Sequence, residues 1–98
     1  MYILIKDSVD LGHAINSSAH AGLMGYLEWQ DDPLMQDWLD DSFRKVTCKV
    51  TEKEFQKSKK YEDHVVVTEL AFGGDEVGIV FKPRYEWPKF FNFLKLYS

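Results

Sequence analysis

Ninety-eight residues, 45% of them apolar and 15% aromatic, suffice for one dense core and no more, which excludes a disordered chain and predicts a single domain over residues 1–98. The formal charge of −4 weighs against tight binding of a polyanion by the chain as a whole. No apolar run approaches the roughly 18 to 20 residues that a membrane span needs, so no membrane partner is expected.

The opening MYILIKDSVD places its lysine after the apolar run and lacks a small-residue cleavage pattern. It reads as a first strand rather than a signal peptide, with a cytoplasmic location expected. After DSVDLG turns the chain, a helix is predicted from about residue 13 to residue 29. Its small residues Ala14, Ser18, Ala21, Gly22 and Gly25 recur at helical spacing, and close approach to a sheet would compensate the helix-weakening glycines. The bulky Leu23, Tyr26, Leu27 and Trp29 come at its far end.

DDPLMQDWLDDS predicts a short second helix, with Asp32 as cap and Pro33 in its first position. FRKVTCKV follows as a strand whose alternation puts Val46, Cys48 and Val50 on one side. Cys48 is the only cysteine, which excludes an internal disulfide and a multi-cysteine metal site and suits a small buried hydrophobe. TEKEFQKSKKY carries Thr51 and, three residues on, Glu54, the capping-box arrangement of a third helix. HVVVTEL reads as a strand covered on both faces, AFGGDE as a tight turn and EVGIVFKP as a strand ended by Pro83. EWPKFFNFLKLYS predicts a closing aromatic-rich helix.

The order β-α-α-β-α-β-β-α interleaves helices with strands and implies a three-layer αβα sandwich. Charge is divided along it. Residues 1–42 carry one lysine against eight acids, while residues 43–98 carry eleven lysines and arginines against eight acids. Arg44, Lys45 and Lys49 are candidate phosphate contacts in the basic part.

The stretch GHAINSSAHA carries the candidate chemistry. At about 100° per residue His13 and His20 fall roughly 20° apart, with Asn16 and Ser17 between them. His13, in the first turn after the first strand, is expected at the open edge where α/β folds hold their sites, as a general base near pH 7. His20, two turns further in, is expected to be buried and structural. A metal shared by the two is disfavoured, because their seven-residue spacing separates them by about 10 Å along the axis. Neither a metal nor a cofactor is predicted. Ser17 and Ser18 lack any nucleophile motif. Glu69 and Asp75, which flank the AFGG turn, are candidate acids to orient His13.

GHAINSSAHA after an apolar strand resembles the segment of the type 2 peptidyl-tRNA hydrolase family (PTH2-like) that reads roughly GKIAAQCAHA, with Gly12, Ala19, His20 and Ala21 matching. The resemblance implies a four-stranded mixed sheet with helices on both faces, and hydrolysis of peptidyl-tRNA or a related ester-linked or phosphorylated small substrate. The family's lysine after the glycine is His13 here, and its Gln and Cys are Ser17 and Ser18. Its Asp-Ala-Gly-Arg-Thr-Gln stretch has no counterpart in TELAFGGDE, where Glu69 stands nearest to the aspartate. On this basis His13 would activate water, Asn16 and Ser17 would position it, and Glu69 or Asp75 would orient the imidazole. The alternative expectation is a binding module on the same fold without turnover. A homodimer is a further expectation, anchored on Trp29, Trp38, Trp87 or Tyr97 as exposed aromatics.

Overall fold

A computed structural model describes residues 1–98 as β1 (Tyr2–Lys6), α1 (Leu11–Trp29), α2 (Pro33–Asp40), β2 (Val46–Val50), α3 (Glu52–Ser58), β3 (His64–Glu69), β4 (Asp75–Phe81) and α4 (Lys89–Asn92). The strands form one open mixed sheet in the order β2-β1-β4-β3. β1 runs parallel to β2, with Tyr2 opposite Val46 and Lys6 opposite Val50. It runs antiparallel to β4, which in turn pairs antiparallel with β3.

Side-chain alternation divides the core between the two faces of the sheet. Ile3 and Ile5 of β1 join Val67, Val77 and Val80 against Ala14 and Ala21 of α1 and Met35 and Trp38 of α2. Leu4 and Ile79 point the other way, joining Cys48, Val50 and Phe81 against Phe55 of α3 and Phe91 of α4. Helices therefore cover both faces. No helix is long and apolar enough to cross a membrane.

The helix starts follow from local side chains that accept orphan backbone N–H groups. Asp32 accepts from the Leu34 N–H at 2.8 Å, with Pro33 in the first turn of α2. Thr51 and Glu54 close the capping box of α3, Oγ1 accepting from the Glu54 N–H at 3.1 Å and Oε1 from the Thr51 N–H at 2.9 Å. Asp10 caps α1 and starts it at Leu11, two residues before the predicted start. The AFGG turn is a single 3-10 turn over Leu70–Phe72, released by Gly73 and Gly74 at φ +67° and +85°.

α1 reaches the sheet through Ala14, Ser17, Ala21 and Gly25. A Cβ on Gly25 would meet Met1 Cε at 3.2 Å, Trp29 Cζ3 at 3.3 Å and Val80 Cγ2 at 3.4 Å, so close approach does use this glycine. Gly22 has no heavy atom within 4 Å of its Cβ direction and turns outward, against the expectation that it too packs on the sheet.

The C-terminal segment departs from prediction. α4 spans only four residues, and the chain then turns back along β2. The Lys49 N–H donates to the Lys95 carbonyl and the Tyr97 N–H to the Thr47 carbonyl, both at 2.9 Å. Phenylalanine-rich sequence is a mediocre helix former, and the unpaired groups on the outer edge of β2 offer it hydrogen bonds that a longer helix would forgo.

Candidate functional site

The C-terminal end of β1 builds the site. After Lys6 the chain is pinned by the Asp7 N–H donating to the Val50 carbonyl at 2.7 Å and the Val9 N–H donating to the Lys6 carbonyl at 3.1 Å. This sets Asp10 at the head of α1, where one carboxylate does two things. Oδ2 accepts from the His13 backbone N–H at 3.4 Å, and Oδ1 lies 2.7 Å from His13 Nδ1. The imidazole hydrogen bond holds the Asp10 carboxyl below the usual aspartate range. With Nδ1–H donating to Asp10, the lone pair of His13 is on Nε2.

The other wall comes from the β3–β4 turn. The Phe72 ring stands 4.8 Å from the His13 ring, centroid to centroid. Phe72 also lines a cleft of about 390 Å³ with Lys6, Ser8, Val9, Asp75, Glu76 and Val77. Two of its charges are engaged by α3: Lys6 Nζ lies 2.9 Å from Glu52 Oε1, and Lys59 Nζ 2.7 Å from Glu76 Oε1. Asp75 is exposed at the mouth. Phe72 thus borders both His13, which does not itself line the cleft, and a cleft that carries charges of both signs.

Several predicted roles change with these positions. The acid beside His13 is Asp10, not Glu69 or Asp75. Glu69 instead faces His20, with Oε1 3.9 Å from Nε2, too long for a hydrogen bond and short enough for charge attraction. His20 is exposed rather than buried, because the helix turns its small residues, not its histidines, toward the sheet. Asn16 is exposed, one turn along from His13. Ser17 is fully buried with an unpartnered Oγ, so it reaches neither solvent nor the cleft lined by Phe72.

Two of the three basic candidates are separated from this site. Arg44 and Lys45 precede β2, whereas His13 follows the opposite end of its parallel neighbour β1. The length of β2, about 15 Å at roughly 3.3 Å per residue, lies between. Lys45 Nζ sits 3.5 Å from the Phe43 ring centroid, and Lys49 Nζ 5.0 Å from that of Tyr97. Lys49, opposite Ile5, lies toward the His13 end of the sheet, but the three basic residues do not converge on one groove beside the histidine. Three of the aromatics expected at an interface are half-buried, and Trp38 is buried, its Nε1–H donating to the Arg44 carbonyl at 2.7 Å.

Sequence inspection missed Asp10, although a helix-capping aspartate three residues before a histidine is a readable signal. It also missed the outward face of α1. No protein-family model and no curated protein matches the chain.

Proposed function

We propose that the chain is a small hydrolase on a fold of the type 2 peptidyl-tRNA hydrolase kind, with Asp10 and His13 as its catalytic pair. The observation that carries this is the 2.7 Å contact between His13 Nδ1 and Asp10 Oδ1 beside the Phe72-lined cleft. The kinship is supported by GHAINSSAHA standing on the helix that follows β1, above a four-stranded mixed sheet. Nδ1–H donates to Asp10 and Nε2 takes a proton from water as the water oxygen bonds to an ester carbonyl carbon. The tetrahedral intermediate then collapses, the carbon–oxygen ester bond breaks, and the departing alkoxide takes the proton back from Nε2.

Asp7, Asp10, Asp75 and Glu76 around this edge outnumber Lys6 and Lys59, and Arg44 and Lys45 lie at the far end of β2. An ester with an uncharged or cationic acyl part is therefore a better fit than intact tRNA. Ser17 has no part in the chemistry. Asn16 is the remaining polar neighbour on the exposed side of α1.

The test is hydrolysis at neutral pH of peptidyl-tRNA and of a panel of aminoacyl and aryl esters, comparing wild type with His13→Ala and Asp10→Asn. General-base loss predicts a drop of about 10² to 10⁴ for His13→Ala, with a smaller one for Asp10→Asn. Equal rates in all three, or none above background on any ester, overturns the catalytic reading. A binding module without turnover is the second reading, favoured by the uncharged outward face of α1.

A further inference from the structure

The face of the sheet opposite α1 carries a second cleft, independent of any turnover at His13. α3 and α4 pack on that face through Phe55 and Phe91. Both contribute to a cleft of about 460 Å³, with Lys53, Lys57 and Lys60 from α3 and the turn after it, and Phe90, Phe93 and Leu94 from α4 and the residues that follow.

This cleft is positive in a chain whose formal charge is −4. Lys53 and Lys57 stand one turn apart on α3, and all three lysines are exposed. The ion pairs of this region join Lys6 to Glu52 and Lys59 to Glu76, and leave Lys53, Lys57 and Lys60 without a partner. Glu54, the one acid that lines the cleft, is held in the capping box, its Oε1 accepting from the Thr51 N–H at 2.9 Å. Unpaired ammonium groups gathered in one cleft repel one another, and an anion between them relieves that repulsion.

The same cleft presents aromatic faces. Phe93 is 82% exposed, an apolar ring left in water. Tyr61, which also lines the cleft, stacks on Phe90 with ring centroids 5.4 Å apart and planes 25° apart. Lys57 Nζ lies 5.7 Å from the Phe90 centroid and Lys60 Nζ 5.3 Å from that of Tyr61, so positive charge and ring surface are neighbours. The matching ligand carries a planar ring beside a multiply charged anion. Lys53 to Lys60 spans only about 10 Å, the reach of a few joined phosphates. Exposed Glu52 and Glu62 flank this run in the chain and oppose a longer polyanion.

We propose that this cleft binds a nucleoside polyphosphate, its base on Phe93 and Phe90 and its phosphates on Lys53, Lys57 and Lys60. Bases of any kind stack on aromatic side chains, and lysine serves phosphate as a point charge.

Isothermal titration calorimetry with ADP, adenosine and inorganic pyrophosphate tests this, with circular dichroism as the check on folding. ADP is expected to bind with a Kd below about 1 mM, and more tightly than adenosine or pyrophosphate. Phe93→Ala is expected to weaken ADP about tenfold, the worth of one base stack, and to leave pyrophosphate unchanged. Lys57→Gln is expected to weaken both ADP and pyrophosphate and to flatten the fall in ADP affinity with added salt. His13→Ala, across the sheet, is expected to bind ADP as wild type does. Failure of ADP to bind in that range, binding indifferent to Phe93→Ala and Lys57→Gln, or its loss in His13→Ala overturns the proposal. A short oligoadenylate that binds more tightly than ADP also overturns it, in favour of a single strand as the occupant.

Discussion

Lys82 Nζ lies 3.0 Å from Oδ2 of Asp32, joining the segment after β4 to the cap of a helix fifty positions earlier in the chain. The same ammonium is 3.5 Å from Asp63 Oδ2. Lys82 and the Leu34 N–H hold the Asp32 carboxyl below its ordinary value of 3.8. A carboxyl depressed in the folded state stabilises it fully above its unfolded pKa, and that contribution is lost as pH falls through the folded value. Asp32→Asn is expected to lower the urea midpoint at neutral pH and to flatten its decline below about pH 4. Urea titrations across the acid range measure both effects, and an unchanged acid limb would remove Asp32 from the account.

Gly78, in the centre of β4, faces the backbone of β1. A Cβ there would sit 2.7 Å from the Leu4 carbonyl oxygen and 2.9 Å from Ile5 Cδ1. The carbonyl belongs to a paired central strand and cannot yield cheaply. Gly78→Ala is predicted to destabilise the fold by about 1–3 kcal/mol, read from denaturant unfolding. The gain in strand propensity over glycine does not offset that clash.

Ser17 Oγ is buried without a hydrogen-bond partner. Removing an unpartnered buried hydroxyl recovers its desolvation cost, and alanine is the better helix former. Ser17→Ala is expected to stabilise by about 1 kcal/mol and to leave any His13-dependent hydrolysis unchanged. Thermal unfolding and the ester assay together check this. A fall in activity at constant stability would return Ser17 to the site.

Burial pushes the Cys48 thiol from 9.0 up to about 11, with a smaller contribution from Glu54. A thiol whose folded pKa is raised costs nothing below its unfolded pKa. Between pH 9.0 and about 11 the unfolded chain ionises while the folded one resists, so stability falls across that window. At neutral pH Cys48 is predicted to resist iodoacetamide until the chain unfolds. Labelling followed by mass spectrometry, with and without denaturant, is the measurement.

Much of the framework was legible because it is local. The Thr51–Glu54 box, Asp32 ahead of Pro33 and the glycines closing the β3–β4 turn each act within four residues, so their spacing carries the signal. Cys48 was legible through simple alternation with Val46 and Val50. The Asp10–His13 contact is just as local and was open to the same reasoning. The pairing of Glu69 with His20 was not, since it joins the end of β3 to the third turn of α1, far apart in sequence.

The sequence alone determined the strands, the helix starts, the single core and the histidine at the end of β1, because each rests on short-range hydrogen bonding or on period-two alternation. Tertiary structure alone decided which side of α1 faces inward. Both sides of that helix are uncharged, so periodicity did not choose between them. The narrow space over β1 and β4 admits Ala14, Ala21 and Gly25 and turns the leucines out. Tertiary structure likewise drew the last residues onto the edge of β2, where backbone groups needed partners, and set Arg44 and Lys45 a strand's length away from His13.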